Sequence, residues 1–304
     1  MTPDITLGSW VMVAILGFVW GASFLFVELA LESVTPFWIA AFRIALAGLV
    51  TSIVWQLRGR KLYLTADRGS WVVLVTVGLL STAVPFMALS WGQQVVTAGF
   101  AGVTMAAVAL MVLPLAHFLV PGERLTLRKT LGFMIGFVGV VILIGPDAFR
   151  STGVEGELAG RLACLLAAGC YAVSSILMRR IPPIDPVGLS AVTLWIGAAL
   201  VVVAALLAEG WPGWPTGMAL LVIMTLGLVQ TAAANMLRIQ VVRTAGPVFM
   251  SLTNYQVPLW SVILGVLVLG EPLEASLFLA MTLILAGVGL SQWGALKRLF
   301  GHAK

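Results

Sequence analysis

The chain has 304 residues, of which 61% are hydrophobic and 10% charged, and its mean hydropathy is +1.08. Soluble globular domains are about 45–50% apolar and about 25% charged, so a soluble enzyme or binding module is excluded and a membrane protein is left. The 17 Lys and Arg outnumber the 12 Asp and Glu but are scattered through the polar breaks, which argues against a nucleic-acid partner.

A bilayer core of about 30 Å takes about 20 apolar residues per helix. The apolar windows predict ten spans: residues 10–31, 36–56, 71–91, 98–120, 126–145, 158–178, 186–208, 216–237, 246–269 and 272–294. Most tryptophans fall at or near span ends, where indoles anchor to headgroups; Trp20, Trp195 and Trp260 are the exceptions. Span one is too long for a cleaved signal and lacks a basic leader. It carries Trp20, Ser23 and Phe24 on one face, and Glu28 near its end. Span two holds Arg43, which reads as snorkelling to an interface or capping carbonyls. Span three has Ser81 and Pro85, and span four has Thr104, Pro114 and His117. The glycines of span five, Gly132, Gly136 and Gly139, suit close helix packing. Span six presents Tyr171, Ser174, Ser175 and Met178, and its Cys164 and Cys170, six apart on one helix, are not expected to pair. Span eight has Gln230, Thr231 and Asn235. Span nine sets Ser251, Asn254, Tyr255 and Pro258 on one helical face, and the proline frees the Asn254 carbonyl.

Polar groups in hydrocarbon must face a partner helix or a wet cavity. The pattern therefore predicts a cavity walled by spans one, three, four, six, eight and nine. Its expected substrate-binding residues are Trp20, Ser23, Phe24, Ser81, Thr104, Tyr171, Ser174, Met178, Thr231, Asn235, Ser251, Asn254 and Tyr255. For each of them interhelical packing is the competing reading.

Orientation follows from Lys and Arg. With the N-terminus inside, the inner side holds Arg58, Arg60, Lys61, Arg68, Arg124, Arg128, Lys129, Arg179, Arg180, Arg238, Arg243, Lys297, Arg298 and Lys304, and the outer side only Arg150 and Arg161. Fourteen against two predicts cytoplasmic termini.

The chain also repeats itself. Gln93 and Thr97–Gly99 recur as Gln240 and Thr244–Gly246 at a spacing of 147. Gly122–Glu123 and Gly139–Val140 recur as Gly270–Glu271 and Gly287–Val288 at 148. Pro36 meets Pro186 at 150, and Trp20 and Ser23 meet Tyr171 and Ser174 at 151. Two halves, 1–147 and 148–304, each with five spans, must insert with opposite topology. The predicted class is thus an all-α integral membrane protein of ten transmembrane helices as an inverted repeat, an arrangement found in secondary transporters with substrate bound near the midplane.

Two segments, Trp20 to Gly48 and Gly122 to Leu143, resemble the opening and close of the first repeat in EamA-type members of the drug/metabolite transporter superfamily. The second half departs from the motif, with Thr193 where Arg43 would repeat and Pro272 where Arg124 would. The resemblance implies an inner-membrane exporter of amino acids and related metabolites, working by alternating access. Carriers of nucleotide sugars or phosphate esters, or a non-transporting receptor or scaffold, are the alternatives. No P-loop and no HExxH appear, so neither ATP-driven transport nor metalloprotease chemistry is expected, and no cofactor or metal. Only Glu28 of the twelve carboxylates lies plausibly within hydrocarbon, so obligatory proton coupling is not expected. The expected partners are a small-molecule substrate and the lipid bilayer.

Overall fold

A computed structural model describes residues 5–59, 62, 68–120, 125–144, 155–182 and 184–301. The sequence-based charges Arg60, Lys61, Arg124, Arg150 and Lys304, and the Gly122–Glu123 pair, lie outside these residues, as do the side chains of Arg68 and Arg298. The described chain is all helix and turn, with no strand.

The main helices are α1 (Leu7–Leu31), α2 (Pro36–Leu57), α3 (Trp71–Gly92), α4 (Ala98–Leu119), α5 (Leu127–Ile144), α6 (Glu157–Met178), α7 (Pro186–Glu209), α8 (Gly217–Thr244), α9 (Thr253–Leu269) and α10 (Ala275–Gly301). Eight of them are long and apolar enough to cross a bilayer; α9, at 17 residues, is shorter, and α5 has 18. Their outer faces carry Leu, Val, Phe and Met, such as Leu131, Phe137 and Val141 on α5 and Leu200, Val203 and Leu207 on α7. Lipid as solvent asks for no polar face.

Helix starts are set by local chemistry. Thr6 and Ser9 form a capping box at α1. Proline occupies the first position of α2 and α7, where its missing N–H costs nothing. Asp185 caps α7 by accepting from the backbone N–H of Val187 and Gly188.

The helices pack in pairs that follow the sequence repeat. The pairs α2 with α7, α4 with α9 and α5 with α10 each join helices that the sequence repeat aligns. The pairs α1 with α9 and α1 with α8 are mirrored by α6 with α4 and α6 with α3. The α5–α10 seam is closest at Gly132 and Gly287, where a Cβ on either glycine would run into the other helix's backbone. These glycines serve packing within the chain, as their spacing suggested.

Two departures from the expected spans matter. The eighth helix runs seven residues beyond residue 237, to Thr244, which puts Arg238 on a helix and not in a loop. The ninth span is broken into a one-turn helix, Gly246–Met250, and α9, with Ser251 and Leu252 in the turn between them. Both third helices contain a π-helical turn, Leu79–Ala83 in α3 and Leu228–Ala233 in α8. They lie 149 residues apart, at the spacing of the sequence repeat. Cys164 and Cys170 are free and buried.

Candidate functional site

A cavity of about 380 Å³ lies among α1, α2, α3, α4, α6, α7, α8 and α9, near the lower end of the range for small-molecule sites, about 300–1,000 Å³. Its apolar wall includes Trp20, Phe24, Phe86, Leu89, Met105 and Met178. Its polar groups come mainly from α2, α3, α7 and α8.

The cavity brings together nine of the thirteen expected residues: Trp20, Ser23, Phe24, Ser81, Tyr171, Met178, Thr231, Asn235 and Asn254. The other four are absent from its wall. Thr104 is fully buried and donates to the Phe100 carbonyl of its own helix. Ser174 donates back to the Tyr171 carbonyl. Ser251 precedes α9, so the helical face assumed for it does not exist there, and its hydroxyl bonds the Gln292 side chain. Tyr255 packs on the core beside α4, with its hydroxyl buried and without a partner.

Two helices missing from the expected wall take part. From α7 come Pro186, Leu189, Ser190, Thr193 and Leu194, and from α2 comes Arg43. Arg43 does not snorkel. It is 8% exposed, its Nε donates to Thr231 Oγ1 at 2.8 Å, and its guanidinium lies 4.2 Å from the centre of the Phe86 ring. Thr231 in turn donates to the Leu226 carbonyl, five residues back, a bond that the π turn of α8 makes available. The pattern recurs across the repeat with a weaker partner. Thr82, in the π turn of α3, donates to the Gly78 carbonyl and reaches the Thr193 carbonyl at 3.4 Å. Thr193 stands where Arg43 stands in the first half, so the cation marks only one of two equivalent positions.

Further along α8, Asn235 donates to Ser190 on α7, and Arg238 lines the cavity about two turns beyond Thr231. Sequence reading gave Arg238 to a loop because polar residues at a span end resemble an exit into water. Removing it leaves 13 basic residues against two in the orientation count.

The cavity ends differ. At the end that holds the C-terminus of α3, Gln93 is buried and donates to the Phe24 carbonyl at 2.9 Å and to Glu28 Oε2 at 3.4 Å. Beside it, Glu271 accepts from the N–H groups of Ala98 and Gly99 at the start of α4, at 2.6 and 3.0 Å. On α2, Glu209 accepts from Thr35 Oγ1, Phe37 N and Trp38 N. At the opposite end the wall reaches Met178 and Pro186, the last residue of α6 and the first of α7. Glu28 is therefore half-buried and bonded to Gln93, and does not merely face an interface.

Among proteins of known sequence, the chain is 25% identical over 281 residues to the uncharacterized inner membrane transporter YedA of Escherichia coli, covering 91% of this chain and 88% of that one. It is 23% identical over 285 residues to the uncharacterized transporter YvbV of Bacillus subtilis, covering 92% and 90%. A match to an uncharacterized transporter of Archaeoglobus fulgidus, 25% identical over 149 residues, spans about half of each chain, 48% and 51%. A crystal structure of a protein 21% identical to the chain shares the fold, with a TM-score of 0.66 over 96% of this chain and 98% of that one. The model of one family matches twice, at residues 8–145 and again at 158–292. The chain is a multi-pass membrane protein, and it belongs to the EamA-like transporter family.

Proposed function

We infer that the chain exports amino acids and related small metabolites across the inner membrane by alternating access. In this reading all ten helices cross the bilayer, and residues 1–147 and 148–304 form two inverted halves that gate the cavity in turn. The pairing of equivalent helices, the paired π turns and the twofold family match support the inverted arrangement. The charge asymmetry supports cytoplasmic termini.

One observation carries the transport reading: residues from both repeats of the sequence line one cavity, with buried Gln93, bonded to Phe24 and Glu28, in its wall at one end and the helix ends at Met178 and Pro186 at the other. With the termini inside, that second end faces the cytoplasm, where an exporter loads. The amino-acid assignment draws on a resemblance of the chain, within the family, to the bacterial amino-acid exporter YddG, and on a wall that combines aromatic and methionine surface with amides and hydroxyls. Movement runs down the substrate gradient without obligatory proton exchange. A second reading, transport of anionic metabolites such as phosphate esters, draws on Arg238 as a second cation in the wall.

The test is efflux of labelled amino acids from proteoliposomes. Asn254→Ala, at an exposed cavity position, is expected to lower the rate tenfold or more, equivalent to about 1.4 kcal/mol, with thermal stability unchanged. Absence of flux by the wild type would overturn the reading in favour of a receptor or scaffold.

A further inference from the structure

We propose that Arg43 is the anchor for the substrate's carboxylate and Gln230 the acceptor for its ammonium group, so that the cavity selects α-amino acids with a large apolar side chain over amines and lipophilic cations. This inference rests on the transport reading and narrows it to a substrate class.

A guanidinium offers donors on Nε and on two terminal nitrogens in a planar fork. In Arg43 the Nε is used by Thr231 and the face by Phe86. Those two contacts fix the plane of the group. The terminal nitrogens have no hydrogen-bond partner among the described residues, and the residue lines the cavity. No Asp or Glu occurs among the described residues of the wall. A cation this deeply buried and without a counter-ion is costly in a bilayer-spanning protein. The missing counter-ion has the geometry of a carboxylate, which a guanidinium fork binds through two parallel bonds.

The adjoining position supplies the second half of a zwitterion site. Gln230, next to Thr231 in the π turn of α8, is 3% exposed and belongs to the cavity wall, and its Oε1, like that of Gln93, is buried with no partner, so that a turn of the side chain brings it to a ligand beside Arg43. A buried acceptor without a donor is disfavoured, and an ammonium group brings three N–H donors. The same widened turn thus holds the threonine that orients Arg43 and the amide that awaits a donor. Trp20, Phe24, Phe86 and Met105 then surround the space left for a side chain. Arg238, two turns toward the mouth, carries the same charge sign and draws the anionic end inward. Arg43 stands opposite Thr193 in the repeat, so only one orientation of a zwitterion satisfies the site.

The experiment compares matched ligands on the purified full-length protein in lipid nanodiscs by titration calorimetry, with flux measured in parallel. L-phenylalanine, phenethylamine, which lacks only the carboxylate, and phenyl phosphate form one set. L-leucine and isoamylamine form another. The expected result is that each amino acid binds at least tenfold more tightly than its amine. Arg43→Gln should erase that difference and Arg43→Lys restore part of it. Thr231→Val, which frees the guanidinium without removing it, should lower the ratio several-fold. Equal binding of acid and amine by the wild type would overturn the proposal even if Arg43 variants fail to fold. Tighter binding of phenyl phosphate than of phenylalanine would overturn it in favour of a phosphate site. In both of those outcomes measurable flux leaves the transport reading standing. Flux of none of these compounds by the folded wild type would remove the transport reading, and this site with it.

Discussion

Glu271 holds the start of α4 from 172 residues away in the sequence, and in the proposed cycle its removal should favour opening of the end of the cavity beside Gln93. Gly270, with φ +67°, ends α9 in the left-handed conformation, and the Glu271 N–H returns to the Gly265 carbonyl. That turn swings the carboxylate across to α4, where it takes the N–H groups of Ala98 and Gly99 while Thr97 Oγ1 takes that of Phe100. Gly265 has no side chain where one would strike the carboxylate. Charge-assisted bonds contribute about 1.5–3 kcal/mol each when buried, and helix caps about 0.5–2 kcal/mol. Because the site is half-buried and water can replace part of what is lost, Glu271→Ala should weaken closure by about 2–3 kcal/mol. If closure competes with a conformation in which these bonds are broken, that is about a 30- to 150-fold rise in the open population.

The assay is the rate at which an impermeant thiol reagent, added on that side, modifies Ser90→Cys in a background lacking Cys164 and Cys170. Ser90 is 3% exposed and lines the cavity, so its labelling reports the opening. Glu271→Gln, which keeps one acceptor, should lie between wild type and Glu271→Ala. A variant that melts at lower temperature while Ser90→Cys labels at the wild-type rate would refute the reasoning, because the carboxylate would then be a helix cap and not part of a gate.

Three further outcomes follow from the architecture. A cysteine at Glu155, exposed just before α6, should be labelled from the periplasmic side of intact cells, and one at Arg58 should not; the reverse pattern would overturn the orientation. Glu28→Gln should retain a sizeable fraction of efflux, since an amide oxygen can still accept from Gln93, and an imposed pH gradient should not drive uphill accumulation; gradient-driven accumulation abolished by this substitution would show a coupled carrier. Gly287→Leu should wedge α5 from α10 at the backbone contact with Gly132 and destabilise the detergent-solubilised protein by at least about 1–3 kcal/mol, read as a lower melting temperature; an unchanged melting temperature would mean that this seam is not packed as described.

Much of the helical layout was legible because hydropathy reports the same quantity that a bilayer selects. The starts of α2, α4 and α7 agree with the expected spans to the residue, and the ends of α1 and α6 do likewise. The misreadings share one cause. Hydropathy treats a polar residue as an exit to water, whereas α8 continues through Arg238 because the cavity solvates it from within the protein. A helical-face argument likewise assumes an unbroken helix, and the turn at Ser251 and Leu252 breaks it. Arg43 was visible as an intramembrane cation, but its partner Thr231 is 188 residues away and is presented by a π turn that leaves no mark in the composition. Gln230 and Gln93 carry the same lesson: neither was among the expected site residues, and packing of distant helices brings both into the cavity wall.

At the end beside Gln93, two acids hold helix starts that are distant in sequence. Glu209 takes three donors at the start of α2, and Glu271 takes two at the start of α4. Both acids belong to the second half, and both helices to the first. Across the repeat, the counterpart of Glu209 at a spacing of 150 is Gly59, which has no side chain to offer, and α7 is instead capped by its own Asp185, which also lies 3.8 Å from Arg243 at the other end. The start of α2 is thus held by an acid 172 residues away and the start of α7 by the residue just before it, while Glu123, which the sequence repeat aligns with Glu271, lies outside the described residues. In the proposed cycle, opening the end beside Gln93 requires parting bonds that cross between halves. The caps of Asp185 on α7 move with that helix and oppose no such separation. Among the described residues, the bonds of Glu209 to the start of α2 and of Glu271 to the start of α4 therefore oppose opening of the end beside Gln93, whereas the cap on α7 does not.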